Sequence, residues 1–185
     1  MSDIIVAPFS NSAIRDWPAP HYAALIGLLC ARDVAATIRV VGTRNQWIGA
    51  CEIVRDHDPA RVVNECGRMS WPDVVAALRA ARCVVANNSG VSHLAAHFGT
   101  PTVCVFGGSH QRREWRPLGR NVVLLSRVIG CSPCHLDHHG VSPYRKACLS
   151  DIDPAAVANA VATAMARDDR TMEPRMNRLD EQFAL

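Results

Sequence analysis

Residues 83–106 have the sequence CVVANNSGVSHLAAHFGTPTVCVF, which contains one complete strand–helix–strand unit. The apolar residues 83–86 predict a strand, residues 91–98 predict a short helix that Gly99 ends, and residues 102–106 predict a second strand. Neither strand has a polar face, which is typical of strands buried on both sides in a parallel sheet. The unit therefore predicts an α/β protein with helices on both faces of the sheet.

The sequence on either side of this unit repeats the same alternation of short apolar runs and helical segments. Strands and helices alternate about six times, so we expect an α/β fold that consists of a single Rossmann-like domain with a parallel sheet. The further predicted strands are residues 4–7, 37–41, 62–63 and 122–125. The further predicted helices are residues 19–31, 46–55 and 70–81, and a last helix begins at residues 153–154.

The character of the sequence changes after the last predicted helix. Residues 1–166 form the predicted Rossmann-like domain, whereas residues 167–185 are dense in charge and interrupted by Pro174. This charged C-terminal tail fits a solvated helix, a disordered end or an arm that docks on a partner.

Composition excludes several classes of function. The chain has 185 residues, 49% of them hydrophobic and 20% charged, which suits one globular domain and not two complete α/β halves. The net charge of +3 and the lack of basic runs with interleaved aromatic residues argue against nucleic acid as a partner. The sequence has no signal-like N-terminus and no apolar run near the roughly 20 residues of a membrane helix, so we expect a soluble cytoplasmic protein.

The strand at residues 83–86 is followed at once by the sequence NNSG and then by a helix. Free N–H groups at a helix start, beside the positive end of the helix dipole, bind phosphate readily. Gly90 would let a ligand approach the backbone, Ser89 could donate to a phosphate oxygen, and His93 lies one turn into the helix. The residues alone leave a second interpretation open, namely a simple capped turn with a buried, hydrogen-bonded His93.

The run NNSGVSHLAAHFGTPTVCVFG at residues 87–107 resembles the signature of glycosyltransferase family 9, the lipopolysaccharide heptosyltransferase family. That family's pattern is close to D-[ST]-G-x-x-H-L-A-A-x-x-G-T-P followed by an apolar strand and F-G. Three further segments agree with the family in the same order, at residues 6–18, 66–78 and 131–157. The resemblance spans about residues 4–166 and implies the C-terminal, nucleotide-sugar-binding half of a GT-B fold.

The resemblance implies a role for each residue that matches the family's motifs. The turn at Ser89 would hold the diphosphate of a nucleotide sugar, and Arg15, at the family's lysine position, would neutralise the leaving diphosphate. The loop after Gly42 lies where the family contacts ribose and base. The complete set of binding residues implied in this way is Ser10, Ser12, Arg15, Gln46, Asn88, Ser89, Gly90, Val91 and His93.

Two departures from the family pattern bear on catalysis. The signature's aspartate is Asn88 here, so any charge-based role of that carboxylate is lost. The family's acidic ribose contact is also missing, and Gln46 is the nearest polar substitute. Glycosyl transfer needs a base for the acceptor hydroxyl, and the catalytic residue is unknown from this sequence. The residues considered for a catalytic role are His93, Arg15, Asp16, His110 and Glu114, none of them at a recognised base position.

The function implied by the resemblance is glycosyl transfer from a nucleotide-diphosphate sugar of the ADP-heptose type, in envelope polysaccharide synthesis or protein glycosylation. The chain matches only the half that binds the donor. A partner subunit or a second protomer of a homo-oligomer would then supply the acceptor site. The alternative is a non-catalytic nucleotide-sugar-binding or scaffold module.

A second group of residues has the ligand types of a metal site. Cys131, Cys134, His139 and Cys148 would form a closed Cys₃His set, with His138 as a neighbouring substitute. Such a site would hold a structural zinc, with iron less favoured, and the transfer chemistry itself would need no cofactor. The alternatives are a reduced, metal-free loop or a disulfide formed in air.

Overall fold

The computed structural model describes residues 3–136 and 144–167. Its centre is a six-stranded sheet with the strand order β3-β2-β1-β4-β5-β6, in which every neighbouring pair is parallel. The strands are β1 (Asp3–Ala7), β2 (Thr37–Val40), β3 (Val62–Asn64), β4 (Cys83–Asn87), β5 (Thr102–Phe106) and β6 (Val122–Ser126). The predicted α/β, Rossmann-like fold is therefore confirmed.

Helices connect these strands and cover both faces of the sheet. They are α1 (Ala19–Arg32), α2 (Trp47–Val54), α3 (Trp71–Ala80), α4 (Gly90–His97), α5 (Arg112–Trp115), α6 (Ala147–Ser150) and α7 (Pro154–Ala166). The longer helices agree with the sequence prediction to within one or two residues at each end. The four-residue helices α5 and α6 were not predicted, because one turn is too short to show a helical period.

Two of the predicted helix boundaries have clear physical causes. The Ser70 side chain accepts a hydrogen bond from the backbone N–H of Asp73, which caps the start of α3. Gly99 follows α4 with φ +74°, the left-handed conformation that commonly ends a helix. These local signals explain why the sequence alone placed the ends of both helices.

The core lies on the two faces of the sheet, because β1, β4 and β5 are almost completely buried. Alternate residues of β1 point to opposite faces, as expected for a strand. Ile4 and Val6 belong to the cluster that α1, α2 and α7 cover, whereas Ile5 and Ala7 belong to the cluster that α3 and α4 cover.

The strand order determines where a ligand can bind. The connections leave β1 toward β2 on one side and reach β4 on the other, so the direction of winding reverses between β1 and β4. The loops that follow these two strands diverge and leave a crevice at the carboxyl ends, where open α/β sheets bind their ligands. None of the helices within residues 3–136 and 144–167 is long and apolar enough to cross a membrane.

We predict that Gly67→Ala destabilises the protein far more than Gly99→Ala. Both glycines have positive φ, so each alanine costs about 1 kcal/mol of backbone strain. A Cβ at Gly67 would also lie 2.5 Å from the Arg44 Cα, whereas a Cβ at Gly99 would meet nothing within 4 Å. Urea unfolding should show a loss of roughly 3 kcal/mol for Gly67→Ala. Equal losses for the two variants would contradict this packing of Gly67.

Candidate functional site

A large pocket opens at the carboxyl ends of the strands, over the point where the sheet reverses its winding. Its volume is about 1080 Å³. The loops after β1, β2, β3 and β4 form most of its wall, and Trp115 of α5 closes one side. Four loops that are distant in sequence meet here because the carboxyl ends of parallel strands lie at one edge of the sheet.

Eight of the nine binding residues implied by the sequence line this pocket. They are Ser10, Arg15, Gln46, Asn88, Ser89, Gly90, Val91 and His93. Ser12 is not among the residues that line it. Its backbone is held by Ser10, whose Oγ donates to the Ser12 carbonyl at 2.7 Å and accepts from the Ser12 N–H at 3.2 Å. The two serines therefore shape the loop, and only Ser10 reaches the cavity.

Ser89 lies at the start of α4, and its hydroxyl has no hydrogen-bond partner among the described residues. It precedes the first helical residue in extended conformation, with φ −145°. Its backbone is engaged by Ser92, whose Oγ accepts from the Ser89 N–H and donates to the Ser89 carbonyl. The Ser89 Oγ itself is buried and makes no hydrogen bond with any residue the structure describes. Because buried polar atoms nearly always form hydrogen bonds, we expect this hydroxyl to form one with a ligand.

The open space above Gly90 belongs to the same pocket. A Cβ built on Gly90 would meet no atom within 4 Å, so the protein's own packing does not require glycine there. The backbone N–H groups of Gly90 and Val91 begin the helix, where no carbonyl one turn earlier can accept from them. Together with the dipole of α4, these groups form an anion-binding helix start that faces the cavity.

Arg15 brings positive charge to the pocket from the loop after β1. It is the last residue of a short 3₁₀ turn, Ala13–Arg15, and its side chain is half-buried. The guanidinium lines the pocket, and its Nε is buried without a hydrogen-bond partner among the described residues. Because Arg15 lines the same cavity as the start of α4, its guanidinium can pair with an anionic ligand there.

His93 and Asn88 form a neutral pair in the pocket wall. The His93 Nε2 lies 3.1 Å from the Asn88 Oδ1, and because a carbonyl oxygen can only accept, Nε2 is the protonated nitrogen. Burial lowers the pKa of His93, so the imidazole is uncharged near pH 7. The family's aspartate at position 88 would give this pair a negative charge, which the asparagine removes.

The side of the pocket near β2 and β3 has both polar and apolar lining residues, with Thr43, Arg44 and Asn45 among the polar ones. Gln46 also lies there, and its Oε1 accepts from the Thr43 N–H at 2.8 Å. The amide NH₂ of Gln46 can donate to a ligand, whereas the acidic residue of the family would only accept a hydrogen bond. The apolar lining residues on this side are Phe9, Val41, Met69, Trp71 and Val74.

Sequence reasoning missed two tryptophans on the pocket wall. Trp71 is 64% exposed and Trp115 is 50% exposed, although tryptophan is usually well buried. The ring of Trp115 packs edge-on against His110, with centroids 5.0 Å apart. The available signal for Trp71 was its position, because it directly follows the N-cap Ser70 and comes shortly after a predicted strand.

The other acid–base candidates from the sequence do not present an acidic group to the cavity. Asp16 Oδ1 accepts from the Ser10 N–H at 2.7 Å and from the Asn87 Nδ2 at 3.2 Å, so its carboxylate organises the loop. Burial raises the pKa of Asp16, and the hydrogen bond from Ser10 opposes that rise. Glu114 and His110 do not line the pocket. None of the described residues that line it is Asp or Glu.

The cysteine segment brings three thiols into proximity. Burial raises the pKa of Cys131, and the nearby thiols of Cys134 and Cys148 raise it further. All three are free cysteines. The fourth predicted ligand, His139, lies outside the described residues together with His138. Within residues 3–136 and 144–167, no group of three or more His, Cys, Asp or Glu side chains is arranged to hold a metal ion. The thiols supply the donor type that a thiophilic metal needs, and the described part of the set is incomplete.

A parallel sheet in this order, with a pocket over its switch point, defines a Rossmann-like ligand-binding domain of the α/β class. The chain belongs to glycosyltransferase family 9, since the family model described as "Glycosyltransferase family 9 (heptosyltransferase)" matches residues 3–144. The resemblance of the signature at residues 87–107 to this family is thereby confirmed.

Known relatives are about twice as long as this chain or longer. Lipopolysaccharide heptosyltransferase 3 of Escherichia coli is 22% identical over 120 residues, which cover 65% of this chain and 35% of that protein. The structure of E. coli ADP-heptose lps heptosyltransferase II superposes with a TM-score of 0.76 at 21% identity, over 89% of this chain and 46% of that one. The bacterial iron-containing dodecameric glycosyltransferase TibC from enterotoxigenic E. coli H10407 has a TM-score of 0.61 at 18% identity, with 89% and 45% covered. The chain thus spans less than half the length of each.

Proposed function

We propose that the pocket binds a nucleotide-diphosphate sugar of the ADP-heptose type, with the diphosphate at the start of α4. The observation that carries this proposal is the convergence of three sets of hydrogen-bond donors on one cavity. These are the helix-start N–H groups at Gly90 and Val91, the buried Ser89 hydroxyl and the Arg15 guanidinium. With no acidic side chain among the described lining residues, an anion meets no like charge.

The nucleoside would occupy the side of the pocket near β2 and β3. Its base would pack on the apolar wall that includes Met69 and Trp71, and its ribose would receive a hydrogen bond from the Gln46 amide. The family match and the fold shared with an E. coli enzyme named for ADP-heptose support this assignment of the donor.

In the transfer reaction the acceptor hydroxyl attacks the anomeric carbon of the sugar, and the bond from that carbon to the diphosphate oxygen breaks. Negative charge develops on the departing nucleoside diphosphate. Arg15 and the start of α4 stabilise that charge because they are already oriented toward it. The acceptor's proton needs a base, and none of the described residues of the pocket is a carboxylate. A partner subunit or a second protomer would supply the acceptor site in envelope polysaccharide or protein glycosylation.

A second candidate function follows from the same absence of acidic groups. Asn88 replaces the aspartate of the family signature, and His93 is tied to it as a neutral pair. Such a pocket keeps the groups that hold a diphosphate, and none of its described lining residues is a carboxylate that could act as the base. A module that binds a nucleotide sugar without transferring it fits these residues, and activity with a partner half distinguishes the two functions.

We also propose that Cys131, Cys134, Cys148 and His139 hold a structural metal ion, zinc or iron. The nearness of Cys134 and of Cys148 to Cys131 supports this assignment, and TibC, which shares the fold, is described as iron-containing. Metal binding would favour the thiolate form, which the crowding of the thiols otherwise disfavours. Because four protein ligands leave no open coordination position, the metal would stabilise the segment and take no part in transfer.

Calorimetry with ADP, UDP and GDP tests the pocket, and we expect ADP to bind. Ser89→Arg places a long cationic side chain in the diphosphate position and should reduce the affinity for ADP roughly a hundredfold or more. Thr163→Arg adds the same charge on the exposed side of α7, where it should leave the affinity unchanged. If none of the three nucleotides binds, or if Ser89→Arg binds ADP as the wild type does, the proposed site is wrong.

Metal analysis of protein purified under reducing conditions tests the cysteine site. We expect about one zinc or iron ion per chain, and near-complete loss of that metal in Cys131→Ser. Cys30→Ser, in α1 and half-buried, is the matched control and should keep its metal. Wild-type protein with a metal content near zero would remove this proposal.

A further inference from the structure

Lys146 holds the turn that carries Arg15, although it is 130 residues away in the sequence. Its ammonium donates to the carbonyl of Ala13 at 2.9 Å and to the carbonyl of Asp16 at 2.8 Å. These two carbonyls lie on either side of Arg15. The ammonium therefore bridges the two ends of the 3₁₀ turn that carries the Arg15 side chain.

The chain that follows Lys146 continues along the same part of the fold. The carbonyl of Ser150 lies 2.9 Å from the Nε2 of His21. The indole N–H of Trp17 donates to the carbonyl of Ile152 at 3.1 Å. Residues 146–152 thus contact the first loop and the start of α1 at several points. We call residues 146–152 the brace.

The turn needs such support because it is short. A 3₁₀ segment of three residues has weak hydrogen bonds of its own, here the N–H of Arg15 to the Ser12 carbonyl at 2.9 Å and the N–H of Asp16 to the Ala13 carbonyl at 3.3 Å. Arginine also has many rotamers, and ordering it only when ligand arrives would reduce the affinity. A turn fixed beforehand avoids much of that cost.

Lys146 does not reach the ligand itself. It is not among the described residues that line the pocket, and it donates to two backbone carbonyls of the turn. Burial lowers the pKa of Lys146, and the negative charge of Asp16 opposes that change. The Asp16 carboxylate thus compensates part of the cost of burying the ammonium.

We propose that Lys146 is a positioning residue of the pocket, which fixes the turn at Ala13–Arg15 so that Arg15 is presented to the diphosphate. The ligand part of this inference rests on the proposed function, whereas the fixed turn does not. Because Lys146 lies two residues before Cys148, the brace also connects the cysteine segment to the pocket.

A double-mutant cycle in the full chain tests whether Lys146 acts through Arg15. By calorimetry, Lys146→Met should weaken ADP binding about tenfold in the wild-type background. In the Arg15→Gln background the same change should weaken it less than about twofold, because the residue that it positions is already gone. Lys146→Arg, which keeps a charged donor, should restore most of the affinity. An equal loss in both backgrounds would overturn the proposal.

Hydrogen exchange in the absence of nucleotide tests the turn directly. In Lys146→Met, the amides of Arg15 and Asp16 should exchange at least about tenfold faster than in the wild type, while the amides of β5 stay unchanged. Lys146→Gln, which keeps one donor, serves as the milder variant if Lys146→Met does not fold. Unchanged exchange at Arg15 and Asp16 would overturn the proposal. If the wild type binds no nucleotide, the proposed function fails and the exchange rates still decide whether Lys146 holds the turn.

Discussion

The pocket depends on the side chain of Asn87, which fastens the first loop of the chain to the central strand β4. Its Oδ1 accepts from the Trp17 N–H at 3.0 Å and from the Tyr22 hydroxyl at 2.8 Å. Its Nδ2 donates to the Pro8 carbonyl at 2.7 Å and to Asp16 at 3.2 Å. Asn87 is completely buried, so each of these bonds replaces one that water would have made. The loop after β1 is thereby held beside the loop after β4, and Arg15 faces the start of α4.

This constraint brings together groups of the pocket that can bind an anion. Arg15 and the start of α4 line the same cavity, His93 is neutral there, and none of the described lining residues is a carboxylate. In glycosyltransferase family 9, to which the chain belongs, the solved relatives are about twice as long as this chain. The proposed division between donor binding in this domain and acceptor chemistry on a second half agrees with the residues of the pocket.

Much of the fold could be predicted because its signals are local. The apolar runs of β4 and β5, the Ser70 cap and Gly99 each act within a few residues. The pocket loops could also be placed, since the carboxyl ends of parallel strands share one edge. Other features depend on contacts between distant segments. Lys146 reaches the turn from 130 residues away, and Ser12 has the right residue type but does not line the pocket. The exposure of Trp115 is likewise decided by the packing of a one-turn helix that no periodicity reveals.

The position of the diphosphate is the centre of this account, and backbone amide resonances report on it most directly. A ¹⁵N-labelled chain titrated in parallel with ADP and with adenosine separates the effect of the phosphates from that of the nucleoside. We predict that ADP, and not adenosine, shifts the amides of Gly90 and Val91 saturably, together with that of Arg15. If both ligands shift the same amides equally, or if ADP leaves the start of α4 unchanged, the diphosphate does not bind there and the account is wrong.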